Sequence, residues 1–186
     1  SNFDPLTQAD LAQTLGEVEL SMARFDRAQT LFDEAGSAAD TAGNALARRH
    51  ARVAHAQARQ RAGDNAGALA ELAAQMPTLR AAPDADLLRA LAVQAAAEMT
   101  LGKPDAAIAV LRRLAGQGID LAIDDFGIGQ SSFAYLRRLP VRELKIDRTF
   151  VSRLAHSRED QEIVRAIVEL GHRLGYRVTA EGVEDV

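Results

Sequence analysis

Cysteine is absent from the 186 residues. That excludes a disulfide framework and any thiolate metal site, and it fits a reducing, cytoplasmic setting. Tryptophan is also absent and aromatic residues make up only 4%, so a core must be built mainly from Ala, Leu, Val and Ile. No apolar run reaches the roughly 18 residues of a membrane span, and no signal-peptide pattern opens the chain. Neither sign of charge dominates. Residues 1–118 carry 12 Lys/Arg and 14 Asp/Glu, and residues 119–186 carry 10 and 12. No basic block exists to bind polymeric nucleic acid. The four histidines, His50, His55, His156 and His172, show no spacing that would pair them as metal ligands. What remains, 47% hydrophobic and 26% charged residues, is ordinary for a globular protein.

Over residues 6–116 apolar positions recur at intervals of three and four, the period of a helix. Val18, Met22, Phe25, Ala28 and Phe32 form one stripe, and Leu87, Leu88, Leu91, Ala95 and Met99 another. Alanine, the strongest helix former, is abundant. Turns are expected at Asp64-Asn65, Pro77, Pro83 and Gly102-Lys103-Pro104. Three segments also repeat a turn, a small residue and an apolar helix: ARFDRAQTLFDEA (23–35), GDNAGALAELAAQ (63–75) and GKPDAAIAVLRRL (102–114). They place Ala28, Ala68 and Ala107 in matching positions, 40 and 39 residues apart. The pattern resembles tetratricopeptide repeats, although their period is about 34. A plain alanine-rich bundle is the alternative.

Beyond Gly116 the period changes. GIDLAID (118–124), RELKID (142–147) and YRVTAEGV (176–183) alternate as strands do. Helical stretches fall between them: one from Ser131-Ser132 to Leu139, a short one after Asp147, and one from about Asp160 to Leu174 before Gly175. Strands alternating with helices imply parallel pairing. In such units functional side chains collect at the C-terminal strand ends. Asp124-Asp125, then Lys145 and Asp147, then Glu181 and Glu184 occupy those ends. Adjacent carboxylates repel unless a cation sits between them, and hard Mg²⁺ or Mn²⁺ takes oxygen ligands. Lysine can hold an attacking water or a phosphate oxygen, and glutamate can accept a proton. By spacing alone, the same residues also read as a solvated loop, a structural lysine and turn glycines.

The ordered run LAIDDFGIGQSSFAYLRRLPVRELKIDRTFV (121–151) followed by IVRAIVELGHRLGYRVTAEGVE (163–184) resembles the second half of the EAL-type cyclic-di-GMP phosphodiesterases. The resemblance implies Asp124 and Asp125 as metal ligands for Mg²⁺ or Mn²⁺. Lys145 would help hold the catalytic water, and Glu181 would lie beside it as base or water-bridged partner. Asp147 and Glu184 would support them. Residues 126–132, including Phe126, Gly127, Gly129 and Ser131, would form the loop coupling metal, substrate and dimerisation. In that loop Ile128 stands where the family often has Thr, and Gln130 where it often has an aromatic.

The family's Glu-x-Leu strand has no counterpart upstream, since GEVEL (16–20) lies inside an amphipathic helical pattern. A (β/α)₈ barrel needs about 250 residues, more than this chain has. The expected architecture is therefore an all-α, tetratricopeptide-like domain at 1–116. A partial TIM-barrel-like βαβαβ unit follows at 117–186, equivalent to barrel strands 5 to 7. One helix at 105–118 would serve both. A homodimer, or the helical segment, would cover the sheet's edges. The chain stops just past AEGVE, which reads as a fragment. The functional expectation is a cyclic-di-GMP signalling protein whose complete domain hydrolyses cyclic di-GMP, with this chain inactive alone. The alternative is a helical protein-interaction module with a passenger EAL segment.

Overall fold

A computed structural model describes residues 3–81, 83–127 and 136–183. It divides into two compact units, residues 1–110 and 111–186. The first holds α1 (Pro5–Ser21), α2 (Phe25–Thr41), α3 (Ala45–Arg61), α4 (Asn65–Ala81) and α5 (Ala85–Thr100), and the division falls within α6 (Pro104–Gly116). Helices start at 5, 25, 45, 65, 85 and 104, so the repeat near 40 residues is a pair of near-identical helix-plus-turn units. From α1 to α5 consecutive helices pack on one another, and α3 also meets α1 and α5. No described helix is long and apolar enough to cross a membrane.

The interior of this unit combines close small-residue contacts with buried Val53, Leu72, Leu79 and Leu91. Ala28, Ala68 and Ala107 are all fully buried. Phe32 is 1% exposed and fits because Gly16 faces it; a Cβ on Gly16 would stand 2.5 Å from the ring. Four inter-helix turns share one geometry. Ala23, Gly43, Gly63 and Gly102 have φ of 57°, 67°, 97° and 72°. In each, the following N–H reaches back to the helix: Arg24 to the Glu19 carbonyl, Asn44 to Ala39, Asp64 to Arg59 and Lys103 to Glu98, at 2.8–2.9 Å. This left-handed C-terminal cap satisfies carbonyls that would otherwise lack donors. Buried charges tie the odd helices together. Arg49 of α3 pairs with Asp84 and Asp86 at the start of α5, and Arg89 of α5 binds both oxygens of Glu17 on α1 at 2.7 and 3.0 Å.

Two expectations from periodicity fail here. Pro77 does not break the chain but lies inside α4. A proline removes one backbone donor, a loss the helix tolerates where the neighbouring turns are packed, as beside buried Met76 and Leu79. The stripe Val18–Phe32 is not one face of one helix. It crosses the turn at Met22–Arg24, leaving Val18 and Met22 exposed while Ala28 and Phe32 are buried.

The second unit is a three-stranded parallel sheet, β1 (Ala122–Phe126), β2 (Glu143–Ile146) and β3 (Arg177–Ala180), in the order β1-β2-β3. Between β2 and β3 lie α7 (Arg148–Val151) and α8 (Arg158–Arg173). Ser157 caps α8 by accepting from the Asp160 N–H. Its apolar face packs on the sheet, with Ile167 joining Phe126, Leu136, Leu144 and Ile146 in the core. Gly171 allows the approach, since a Cβ there would run into Val178 of β3. The three expected strands and the helices after Asp147 and from about Asp160 agree with this order within a few residues, and the helix expected from Ser131-Ser132 lies mostly outside the described residues. The result is a small parallel sheet consistent with part of a TIM-barrel-like domain.

Two substitutions test this packing by chemical or thermal unfolding. Ala23→Gly should raise stability by up to about 1 kcal/mol, because only glycine takes the left-handed conformation without a Cβ penalty. Gly171→Ala should lower stability by about 1–3 kcal/mol despite alanine's helix propensity, because overpacking against a β-branched neighbour outweighs it.

Candidate functional site

Successive side chains of a regular strand point to opposite faces. Asp124 and Asp125 escape that rule through a bulge. The register runs Ile123↔Leu144 and then Phe126↔Ile146, so β1 spends one more residue than β2 over the same stretch. The irregularity includes Asp125, at φ 51°, one of two non-glycine residues with positive φ among those described. Aspartate tolerates this region better than most residues. The bulge brings both carboxylates, together with Glu181 just beyond β3, to within 4.8 Å of one another. Asp124 and Asp125 are exposed and Glu181 is half-buried.

Lys145 stands between them. Its strand pairs Lys145 with Thr179, two residues before Glu181. Lys145 Nζ donates to Glu181 Oε1 at 2.7 Å and reaches Asp124 Oδ1 at 3.4 Å. Glu181 is itself held by its backbone, whose N–H donates to the Ile146 carbonyl at 3.1 Å. The hydrogen bond to Glu181, then that to Asp124, and after them the negative charges of both, raise the Lys145 pKa above its ordinary value. Asp125 is displaced upward too. Its carboxyl is desolvated although the residue as a whole is exposed, and the negative charges of Asp124, Asp147 and Glu181 add to the effect.

Asp147 closes the far side. It is 8% exposed and caps α7, accepting from the Thr149 N–H at 2.7 Å and from the Thr149 hydroxyl. Those bonds, chiefly the hydroxyl, hold its pKa below the ordinary carboxylate range. The preference of Asp for helix N-caps makes Asp147 legible in sequence, whereas Thr149 as its partner was not foreseen. Two glycines set the close approaches. Gly127, at φ 109°, leaves room for Phe150, and Gly182, at φ 68°, for Arg148; a Cβ would lie 2.9 and 2.7 Å from those side chains. Phe150 and Arg148 are thus further residues that shape the site, and only the glycines hinted at them.

The sheet therefore assembles Asp124, Asp125, Lys145, Asp147 and Glu181 in one cluster. Phe126 is 4% exposed and its side chain belongs to the core beneath the cluster, not to its surface. Gly129, Ser131 and Glu184, and with them Ile128 and Gln130, lie outside the described residues. The donors that are present are hard carboxylate oxygens whose negative charge exceeds the positive charge of Lys145, which fits a divalent cation such as Mg²⁺ or Mn²⁺ and does not fit a soft metal.

Comparison with known proteins agrees with this chemistry. The bifunctional diguanylate cyclase/cyclic di-GMP phosphodiesterase MucR of Pseudomonas aeruginosa is 52% identical over 80 residues, 43% of this chain and 12% of that protein. The cyclic di-GMP phosphodiesterase NbdA of the same organism is 50% identical over 80 residues, 43% of this chain and 10% of that one. The signaling protein YkoW of Bacillus subtilis is 39% identical over 95 residues, 51% and 12% of the two chains. This chain thus spans only about a tenth of the length of these relatives. Among solved structures, the MucR phosphodiesterase in complex with c-di-GMP matches at 52% identity over 44% of this chain and 33% of that one, with a TM-score of 0.42. The EAL enzyme Bd1971 in its cGMP-bound form matches at 35% identity over 47% and 23%, with a TM-score of 0.44. The EAL domain itself matches residues 64–186, more than half of the chain, and the chain belongs to the EAL domain family.

Proposed function

We propose that this chain carries one side of a divalent-cation site for cyclic di-GMP, competent for hydrolysis in the complete domain and inactive alone. The observation that carries the reading is the convergence of Asp124, Asp125 and Glu181 within 4.8 Å, with Lys145 among them. Asp124 and Asp125 would hold Mg²⁺ or Mn²⁺, with Asp147 and Glu184 in support. When bound, the ion supplies charge neutralisation and Lewis acidity toward phosphate. Lys145, charged and donating to Glu181, would orient the attacking water and meet a phosphate oxygen. Glu181 would accept the water's proton as the water oxygen bonds to phosphorus and the phosphorus–ribose oxygen bond breaks. The product is the linear dinucleotide. The loop at 126–132 would contact substrate. Phosphodiester cleavage of this kind uses two metals, and three carboxylates from the ends of two strands give a partial shell.

The division at 116/117 belongs to the same proposal: helices before it, catalytic strands after it. The helices support a second reading, a tetratricopeptide-like surface for a protein partner. The observation in its favour is the 20-residue spacing of helix starts with Ala28, Ala68 and Ala107 buried at equivalent places. We place the chain in the cytoplasm, a reading supported by the absence of cysteine.

Three outcomes are expected. Incubation of the purified chain with cyclic di-GMP and Mn²⁺ should give no linear product by chromatography; turnover that Asp124→Ala abolishes would overturn the assignment of inactivity. Mn²⁺ titration followed by electron paramagnetic resonance should show weak binding, lowered at least about tenfold by Asp125→Asn, as the loss of one charged ligand implies; unchanged binding in the variant would remove Asp125 from the site. Without metal, the same variant should melt higher than the parent at pH 7. The sign follows from the raised folded-state pKa of Asp125. Ionisation opposes folding once pH rises past the unfolded value, so the stability gap should open as pH climbs through the folded value and vanish in acid.

A further inference from the structure

Arg148 stands at the rim of the carboxylate cluster, and its charge is unspent there. It is the first residue of α7, directly after Asp147, and it is exposed. Its stem has a fixed seat. Gly182, one residue past Glu181, comes so close that a Cβ on it would stand 2.7 Å from the Arg148 Cβ and 3.7 Å from its Cδ. The side chain therefore starts along the backbone that follows Glu181. Four carboxylates lie in the cluster, yet Arg148 makes no ion pair among the described residues. The neighbouring acceptors are committed elsewhere. Asp147 Oδ1 takes the Thr149 N–H and hydroxyl. Glu181 and Asp124 take Lys145 Nζ at 2.7 and 3.4 Å. Arg148 acts on Asp147 only through space, as a lesser cause of its lowered pKa.

We propose that Arg148 is a substrate-binding residue, whose guanidinium grips the phosphodiester of cyclic di-GMP that is not cleaved. The proposal rests on the reading of the cluster as a cyclic di-GMP site. That ligand carries two phosphodiesters in one ring, each with a negative charge. Lys145 and a divalent cation answer to one of them. The other arrives beside carboxylates, where like charges oppose it. A guanidinium stays charged and offers parallel N–H donors to two oxygens of a phosphate, whereas a lysine supplies a point charge without the fork. Seating the stem on Gly182 reduces the side-chain freedom that binding must remove. The guanines of the same ligand can also engage an arginine, through O6 and N7, so the test has to separate base from phosphate.

Calorimetric titration of the full chain with cyclic di-GMP and with cyclic di-AMP, in Mg²⁺, makes that separation. Mn²⁺ affinity is followed in parallel by electron paramagnetic resonance. Arg148→Met keeps a stem against Gly182 and removes the charge. It should weaken both dinucleotides about tenfold, the scale of a hydrogen bond to a charged group, without lowering Mn²⁺ affinity or changing circular dichroism. Arg148→Lys should recover part of the loss. Equal affinity in parent and Arg148→Met would overturn the proposal. So would a loss confined to cyclic di-GMP, which would place Arg148 on the guanine edge. A parent that binds Mn²⁺ but neither dinucleotide up to about 1 mM would also sink it, and would leave the metal reading intact. A parent that binds neither metal nor dinucleotide would remove the reading of the cluster and this proposal with it. Arg148-dependent dinucleotide binding without Mn²⁺ binding would uphold Arg148 and remove the metal.

Discussion

Like charges repel, and this molecule gathers Asp124, Asp125, Asp147 and Glu181 with Lys145 donating to two of them and Arg148 beside Asp147. Everything in the α/β unit serves to hold that arrangement against its own repulsion. Parallel pairing brings the three strand ends to one edge. The bulge in β1 turns two neighbouring aspartates toward it. Gly127 and Gly182 let Phe150 and Arg148 close in behind. The upward shift at Asp125, set first by desolvation of its carboxyl and then by the neighbouring negative charges, marks an unfavourable ionisation that a bound cation would relieve. Sites that trade stability for ligand affinity have this character.

The cluster was legible in the sequence to an unusual degree, and for a definite reason. Strand periodicity locates the ends of β1, β2 and β3 to within a few residues, and chemistry at parallel strand ends is a general rule. The rule cannot say how two adjacent aspartates share a face. That depends on a register shift against β2, a long-range property no local pattern carries. Nor could it find Thr149, whose value lies only in being two residues past an aspartate that caps a helix. Phe126 shows the opposite error: its place in the motif run suggested the surface loop, while alternation along β1 sends it into the core.

In the helical unit the reading went astray where it leaned on large apolar residues. The interior there is lined by Ala9, Ala12, Ala28, Ala35, Ala51 and Ala54, with Phe32 accommodated by Gly16. Small residues let helix axes approach closely, so α1 buries its small face and leaves Leu11, Leu15, Val18 and Met22 outside. A stripe drawn through Val18, Met22 and Phe32 therefore joined an outer face of α1 to an inner face of α2. The same preference explains why the repeat was detectable through Ala28, Ala68 and Ala107. Those positions are constrained by contact distance, whereas the exposed leucines of α1 are not.

The two units thus solve the shortage of aromatic residues differently. The α/β unit concentrates them: Phe126 lies in its core, Phe150 and Tyr176 pack against that core, and the Tyr176 hydroxyl donates to the Leu136 carbonyl at 2.8 Å. A few large rings then bury much area per residue. The helical unit has Phe32 alone in its core among the described aromatics, and alanine buries little area each. It compensates with number and with directional contacts, namely the repeated left-handed caps and the Arg49–Asp86 and Arg89–Glu17 pairs. Partly buried pairs of this kind fix geometry more than they add stability. Further along the unit Leu72, Leu79 and Leu91 do fill the interior, but where α1 meets α2 close helix spacing leaves no room for Leu11 and Leu15 of α1. The exposed apolar row on α1 is therefore a consequence of how the interior is packed.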